Sequence, residues 1–141
     1  MLQLWHESRH IPAHHISSIY DAALVPDLWP MVLQSVMEEL GAVGAGYGVF
    51  NKRTGGIEWL SQSGPLVDLE ANYLSYYHLL DRYRPMLETV PAGRWVWVSD
   101  CLPETELSRD EWYNDYLLKA GIDEAVGGGS SRVRHTRSFS A

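Results

Sequence analysis

Val43-Gly44-Ala45-Gly46-Tyr47-Gly48-Val49-Phe50, then Asn51-Lys52-Arg53-Thr54-Gly55-Gly56 and Ile57-Glu58-Trp59-Leu60, is the stretch that decides the fold class. Its first eight residues alternate with period two, placing valine, alanine and tyrosine on one face and three glycines on the other, as in a β-strand. The glycine-containing loop turns the chain into a second, antiparallel strand. Glycine loses much backbone entropy in a strand and packs nothing. Three in alternation therefore imply that something presses close on that face: a neighbouring backbone, a large ring or a ligand. Ser61 to Pro65 is expected to break the sheet.

Helical patterns flank this hairpin. Upstream, Ile16, Ile19, Tyr20 and Ala23 form a stripe stopped by Pro26, and Asp27 is placed to cap a second helix with Trp29, Val32, Leu33, Val36 and Leu40 on its apolar face. Gly41 stands at the C-cap position. Downstream, Leu69, Tyr73, Tyr76, Tyr77 and Leu80 give a tyrosine-rich helical face that ends before Pro85. Pro91-Ala92-Gly93 turns into Arg94-Trp95-Val96-Trp97-Val98, apolar on both faces and so expected deep in the sheet. Ser108-Arg109-Asp110-Glu111 matches a capping box, with Leu107 and Trp112 as hydrophobic staple, for a helix over residues 109–120 ended by Gly121. Residues 122–126 supply one further short strand. The pattern is α+β: an antiparallel sheet with helices packed on it.

The 141 residues fit one domain, and a chain of this size hides about two-thirds of its unfolded surface, enough for a core without disulfides or a structural metal. We divide it into an N-terminal arm (1–15), an α+β domain (16–126) and a flexible basic tail (127–141). Residues 1–126 carry 8 Lys+Arg against 18 Asp+Glu, a balance of −10, while the tail adds Arg132, Arg134 and Arg137. An acidic body repels phosphate backbones and three arginines attract them only weakly, so direct nucleic-acid binding is not expected. No apolar run reaches the ~18 residues of a membrane span, the start lacks a signal-peptide pattern, and the single Cys101 cannot make an intrachain disulfide. Those features point to the cytoplasm.

Catalytic motifs are missing: there is no Gly-x-Ser-x-Gly elbow, no His-Glu-x-x-His and no phosphate-cradling loop. His6, His10 and His14 recur every four residues, but Pro12 interrupts their helix and no second ligand cluster follows, so an irregular arm outweighs a zinc site. Asp100 beside Cys101 raises a thiol pKa rather than activating it. The chain is therefore not read as an enzyme, and no cofactor is expected. Its distinctive resource is aromatic: six Trp and eight Tyr. Tyr47, Trp59, Tyr73, Tyr77, Trp95 and Trp97 are the candidate wall of a small-molecule pocket, with Asp81 to orient a donor; the alternative is a dry aromatic core.

Four segments in order, Ile19-Tyr20-Asp21-Ala22-Ala23-Leu24 to Pro30, Tyr73-x-x-Tyr76-Tyr77-x-x-x-Asp81-x-x-Arg84-Pro85, Pro91-Ala92-Gly93-Arg94 and Glu111-Trp112-Tyr113-Asn114-Asp115-Tyr116-Leu117, together resemble the N-terminal sensory region of bacterial LuxR-type helix-turn-helix regulators. The resemblance covers roughly residues 16–126. It implies a PAS- or GAF-like α+β sensor that controls an attached DNA-binding module. Relatives that bind acyl-homoserine lactones carry Trp-x-x-x-Tyr upstream of an Asp-Pro pair. Aligned on Asp81, this chain has Asp68, Asn72 and Arg82 there, which argues against a lactone. The 20 residues after Gly121 are too few for a helix-turn-helix domain. A PAS-like sheet also wants about five strands, so the sheet reads as incomplete. Its open edges favour a homodimer. The expected function is sensing of a small apolar or aromatic ligand by a dimerising, cytoplasmic regulatory domain. The alternative is a truncated protein-interaction module without ligand, with a metal-binding or enzymatic domain behind both.

Overall fold

A computed structural model describes residues 12–129. Helices and small antiparallel sheets are mixed along the chain, and the fold class is α+β. Two compact units are present, one running to Ala71 and one from Asn72 onward.

In the first unit, α1 (Ala13–Leu24) and α2 (Trp29–Leu40) are followed by the hairpin of β1 (Ala45–Phe50) and β2 (Ile57–Ser63). Asp27 makes no cap bond; α2 instead opens from a 3-10 turn over Pro26–Leu28, whose Leu28 N–H donates to Val25 C=O at 3.0 Å. Its other end is as expected: Gly41 has φ +65°, and the N–H groups of Gly41 and Ala42 close on Glu38 and Met37 carbonyls. The hairpin pairs Ala45 with Ser63 and Tyr47 with Ser61, with a bulge between Val49 and Phe50. Asn51 closes the loop, its side-chain oxygen accepting from the N–H groups of Arg53 and Thr54 at 3.0 and 3.1 Å. β2 does not break at Ser61. It continues to Ser63 because Ser63 Oγ donates to Gln34 Oε1 of α2 at 2.7 Å, which ties the strand end to the helix.

The face that α1 buries is not its isoleucine stripe. His15 and Ala22 are buried while Ile16, Ile19 and Tyr20 are exposed. Positions 15, 18 and 22 share helical spacing with the stripe, and the smaller of these side chains let α2 approach, burying Val32, Leu33 and Met37. Gly64 ends the hairpin at φ +73°, where a Cβ would collide with Val43 O and lie 3.2 Å from Met37 Sδ. We expect Gly64→Ala to cost roughly 2 kcal/mol from backbone strain and overlap. In a thermal melt it should lower Tm by about 6 °C.

Past α3 (Leu66–Ser75), which crosses into the second unit, the expected long helix stops. Tyr76 leaves helical geometry at φ −143°, ψ −60°, and Tyr77–Leu79 is a 3-10 turn. Then come α4 (Tyr83–Leu87), β3 (Trp95–Trp97), α5 (Val98–Cys101), α6 (Glu104–Leu107), a wide π-helical turn at Trp112–Leu117, a 3-10 turn at Leu118–Ala120, and β4 (Val126–Gly128). The capping box does not form. Ser108 Oγ donates to Thr105 C=O instead, and the capping acceptor is Asp110, whose Oδ1 takes the Tyr113 N–H at 2.8 Å. Trp112, Tyr116, Leu117 and Ala120, on the π turn and the 3-10 turn after it, are all buried, as are Val98, Leu102 and Leu107.

β3 is not a covered central strand. Among the described residues it pairs with β4 alone, in a two-stranded sheet separate from β1–β2, and Trp95 and Trp97 are 68% and 42% exposed. The reason lies on its other face: Gly127 lets Tyr83 and Leu87 come close, and Tyr83 O–H donates to Val96 C=O at 2.6 Å. One side of the ribbon is thus fully occupied by the unit's own core. β4 takes Gly127 and Gly128 from the glycine run that opens the tail, Gly128 lying beneath the Trp95 ring.

Candidate ligand-binding site

The seven residues expected around one pocket fall into three groups. Tyr47 and Trp59 lie in the first unit, where neighbouring strands carry them to the hairpin face that meets α2. Tyr47 stacks on Trp29 at 4.4 Å between ring centroids, and Trp59 meets both edge-on at 5.8 and 6.4 Å. On the opposite, glycine face the hairpin presses only on Gly48, where a Cβ would meet the Phe50 ring at 2.8 Å and Leu60 at 3.3 Å, whereas Gly46 is exposed. Trp95 and Trp97 form the second group, on the exposed face of β3.

Tyr73, Tyr77 and Asp81 form the third, in the second unit. Tyr116, which the sequence reading missed, lies between the two tyrosines, its ring stacked at 5.3 Å on Tyr73 and 5.4 Å on Tyr77. Tyr73 and Tyr116 are buried, and Tyr77 is the half-buried end of the stack. Trp112, one helical turn before Tyr116, is 3% exposed and lies against Tyr83 at 6.4 Å. The Trp112-x-x-x-Tyr116 spacing just after Leu107 was the available sign that these rings share the core.

Asp81 is buried and fully engaged. Its Oδ2 accepts the Tyr73 O–H at 2.7 Å, and its Oδ1 accepts the N–H groups of Tyr83 and Arg84, both at 3.0 Å. The carboxylate therefore caps α4 from two residues ahead of it and holds Tyr73 in place. Burial pushes its pKa above the ordinary carboxylate value, opposed by the Tyr73 and backbone hydrogen bonds. Tyr73 is pushed upward as a phenol, first by burial and then by the Asp81 charge, so it stays a neutral donor. Burial also raises Tyr83. Cys101 is half-buried and its thiol is raised by burial and by Asp100.

Two buried polar atoms have no hydrogen-bond partner among the described residues while belonging to no other pairing: Ser61 Oγ in the first unit and Trp112 Nε1 in the second. Buried donors are nearly always satisfied, and leaving one bare costs about 1–3 kcal/mol. The Trp112 N–H is the more telling, because it can only donate. Surface concavities lie elsewhere. One shallow groove is lined by Pro30, Met31, Gln34, Ser35, Gln62 and Ser63, another by Arg82, Thr105, Glu106, Arg109 and Asp110. Neither includes any of the seven expected residues. In the second groove Arg82 is already paired with Glu106 at 2.8 Å.

His14 is exposed on α1, whereas His6, His10 and the tail arginines lie outside the described residues. Among the described residues no cluster of His, Cys, Asp or Glu is arranged to hold a metal, and no helix is long and apolar enough to cross a membrane. Set against family models, curated proteins and solved structures, the chain matches none.

Proposed function

We propose that the chain is a small-molecule-sensing regulatory domain, similar to the PAS- or GAF-like sensory region of LuxR-type regulators, acting in the cytoplasm by binding rather than catalysis and without touching DNA itself. The observation that carries this reading is the bare, buried Trp112 N–H, on the same turn that carries Tyr116 into the ring stack. A partly apolar molecule with a carbonyl or similar acceptor would satisfy that donor and slide its flat part among Tyr73, Tyr77 and Tyr116. The rings pack on one another, so binding must open the stack, and half-buried Tyr77, at its end, is the side chain that swings. Opening the stack shifts the π turn that carries Trp112 and Tyr116, which gives ligand occupancy a route into backbone conformation.

A panel of small aromatic carbonyl compounds, acetophenone among them, titrated against tryptophan fluorescence tests this. Saturable quenching is expected. Trp112→Phe keeps the ring but removes the donor, so it should weaken binding about tenfold, the worth of one buried hydrogen bond. It should move Tm little, because the smaller ring loses packing while a bare donor is eliminated. Unchanged affinity in the variant would contradict the assignment.

A second reading, a protein-interaction module without ligand, is favoured by a different observation: the large apolar side chains left exposed on α1 and β3, including Tyr20, Leu24 and Trp95. Concentration-dependent oligomers with no quenching by any member of the panel would select it.

A further inference from the structure

We propose that Ser35 is an activated nucleophile, a site of covalent modification that takes an acyl group from neutral, activated esters, with His15 as its general base and Glu39 positioning His15. The site lies within the first unit, apart from the ring cluster of Tyr73, Tyr77 and Tyr116, and it holds whether or not a ligand binds there.

Ser35 and Glu39 are four residues apart on α2, so both fall on one face of that helix, and His15 of α1 lies beside both. His15 Nδ1 is 3.3 Å from Ser35 Oγ, and His15 Nε2 is 3.8 Å from Glu39 Oε2. A serine inside a helix ordinarily turns its hydroxyl back onto its own backbone; here the hydroxyl crosses to a neighbouring helix. The imidazole is held in place: His15 is 5% exposed, with the His14 ring at 4.1 Å between centroids. With the proton on Nε2, the side on which Glu39 lies, Nδ1 accepts the Ser35 O–H. Nucleophile, base and orienting carboxylate then stand in the order that acyl transfer uses. Nε2 has no hydrogen-bond partner among the described residues, and Glu39, whose side chain is exposed, closes that gap as the ring gains charge.

The hydroxyl is open to a substrate. Ser35 is half-buried and forms part of the wall of the groove that Pro30, Met31, Glu38 and Val67 also line. Pro30, Met31 and Val67 give apolar surface for a short acyl chain, while the Glu38 carboxylate in the same wall repels anionic esters and so selects neutral ones. In the acylation step, Ser35 Oγ bonds to the ester carbonyl carbon as its proton passes to His15 Nδ1, and the bond from that carbon to the leaving oxygen breaks. The leaving group of an activated ester departs as a phenolate with its electron pair and needs no proton. His15 then gives its proton to solvent, and acyl-Ser35 and the phenolate are the products.

Mixing the full chain with p-nitrophenyl acetate at neutral pH tests this. A burst of p-nitrophenolate stoichiometric with the chain is expected, with an acetyl group on Ser35, located by peptide mass spectrometry, and none on Ser17, which is exposed on α1. Ser35→Ala should abolish both burst and label, and alanine suits a helix interior. His15→Gln should slow acylation of Ser35 about a hundredfold, the worth of a general base. Glu39→Gln should slow it severalfold, and Glu39→Asp should restore part of the rate, as a carboxylate that acts through His15 requires. Circular dichroism checks the fold of each variant, and the exposed Glu39 pair carries the test if His15→Gln does not fold. A chain left unlabelled at Ser35, acetyl groups spread without preference over Ser35, Ser17, Lys52 and Lys119, or labelling at the native rate in His15→Gln or Glu39→Gln would each overturn the inference.

Discussion

Tyr116→Ala is expected to lower the stability of the second unit by about 4 kcal/mol, a Tm drop of roughly 13 °C. Tyr116 is 3% exposed and is the middle ring of three, so its removal leaves a void between Tyr73 and Tyr77. The loss combines the transfer of a large ring, the cavity left behind and two ring-stacking contacts. Against a total stability of about 5–15 kcal/mol, that is a large fraction. Tyr116→Phe retains the ring and should recover most of it. Differential scanning calorimetry of the two variants separates the ring from its hydroxyl. A Tyr116→Ala protein melting within a few degrees of the native one would mean that the stack contributes little.

Asp81→Ala should be the next most damaging change, at about 3 kcal/mol. It strips the acceptor from Tyr73 O–H and from the Tyr83 and Arg84 amides in one step, leaving buried donors bare and α4 uncapped. Asp81→Asn separates hydrogen bonding from charge. Its oxygen can still take both amides, and its N–H can pair with the Tyr73 oxygen. The pH dependence has a definite sign. Burial holds the folded-state pKa of Asp81 above its unfolded value, so in the window between the two the folded protein keeps a proton that the unfolded chain has released. The contribution of this group is fully present below the unfolded pKa and is lost as pH rises through the folded one. The asparagine variant has no such loss, so its Tm should gain on that of the native protein as pH rises above the ordinary carboxylate value. A gap that stays constant with pH would show that Asp81 ionises normally in the fold.

Period-two alternation before Asn51 and the glycine-containing loop located β1, β2 and their turn, because strand pattern and turn chemistry are both local. Gly41 and Gly121 likewise adopt positive φ at the ends where they were expected, 65° and 79°. What failed depended on a choice among local options. α1 has two faces at helical spacing, and the core took the one with His15 and Ala22 because only a slim face admits α2. Ser108 had the right neighbours for a capping box, but Asp110, two residues later, offered a carboxylate. β3 looked buried because both its faces are apolar, yet hydropathy does not count strands, and among the described residues β4 is its one partner.

For the candidate site, Tyr73 and Tyr77 were legible as neighbours on one tyrosine-rich face, but all seven residues were expected around a single pocket. Tyr116 and Trp112 were not, because they arrive from some 30 residues downstream. Asp81 was expected to orient a guest; Tyr73 and the α4 amides occupy it, and the donor left without a partner is Trp112 instead. Sequence identifies which side chains are able to donate, while only the fold determines which of them go unsatisfied.

The central claim is that this indole N–H awaits a ligand, and it has a direct readout in the Trp112 Nε1–H resonance of ¹⁵N-labelled protein, assigned by its absence from Trp112→Phe. Titration with aromatic carbonyl compounds such as acetophenone should move that resonance downfield and saturably, while hydrocarbons of matching shape such as ethylbenzene should not. A Trp112 signal that no carbonyl compound of the panel shifts, or that both series shift alike, would contradict the account.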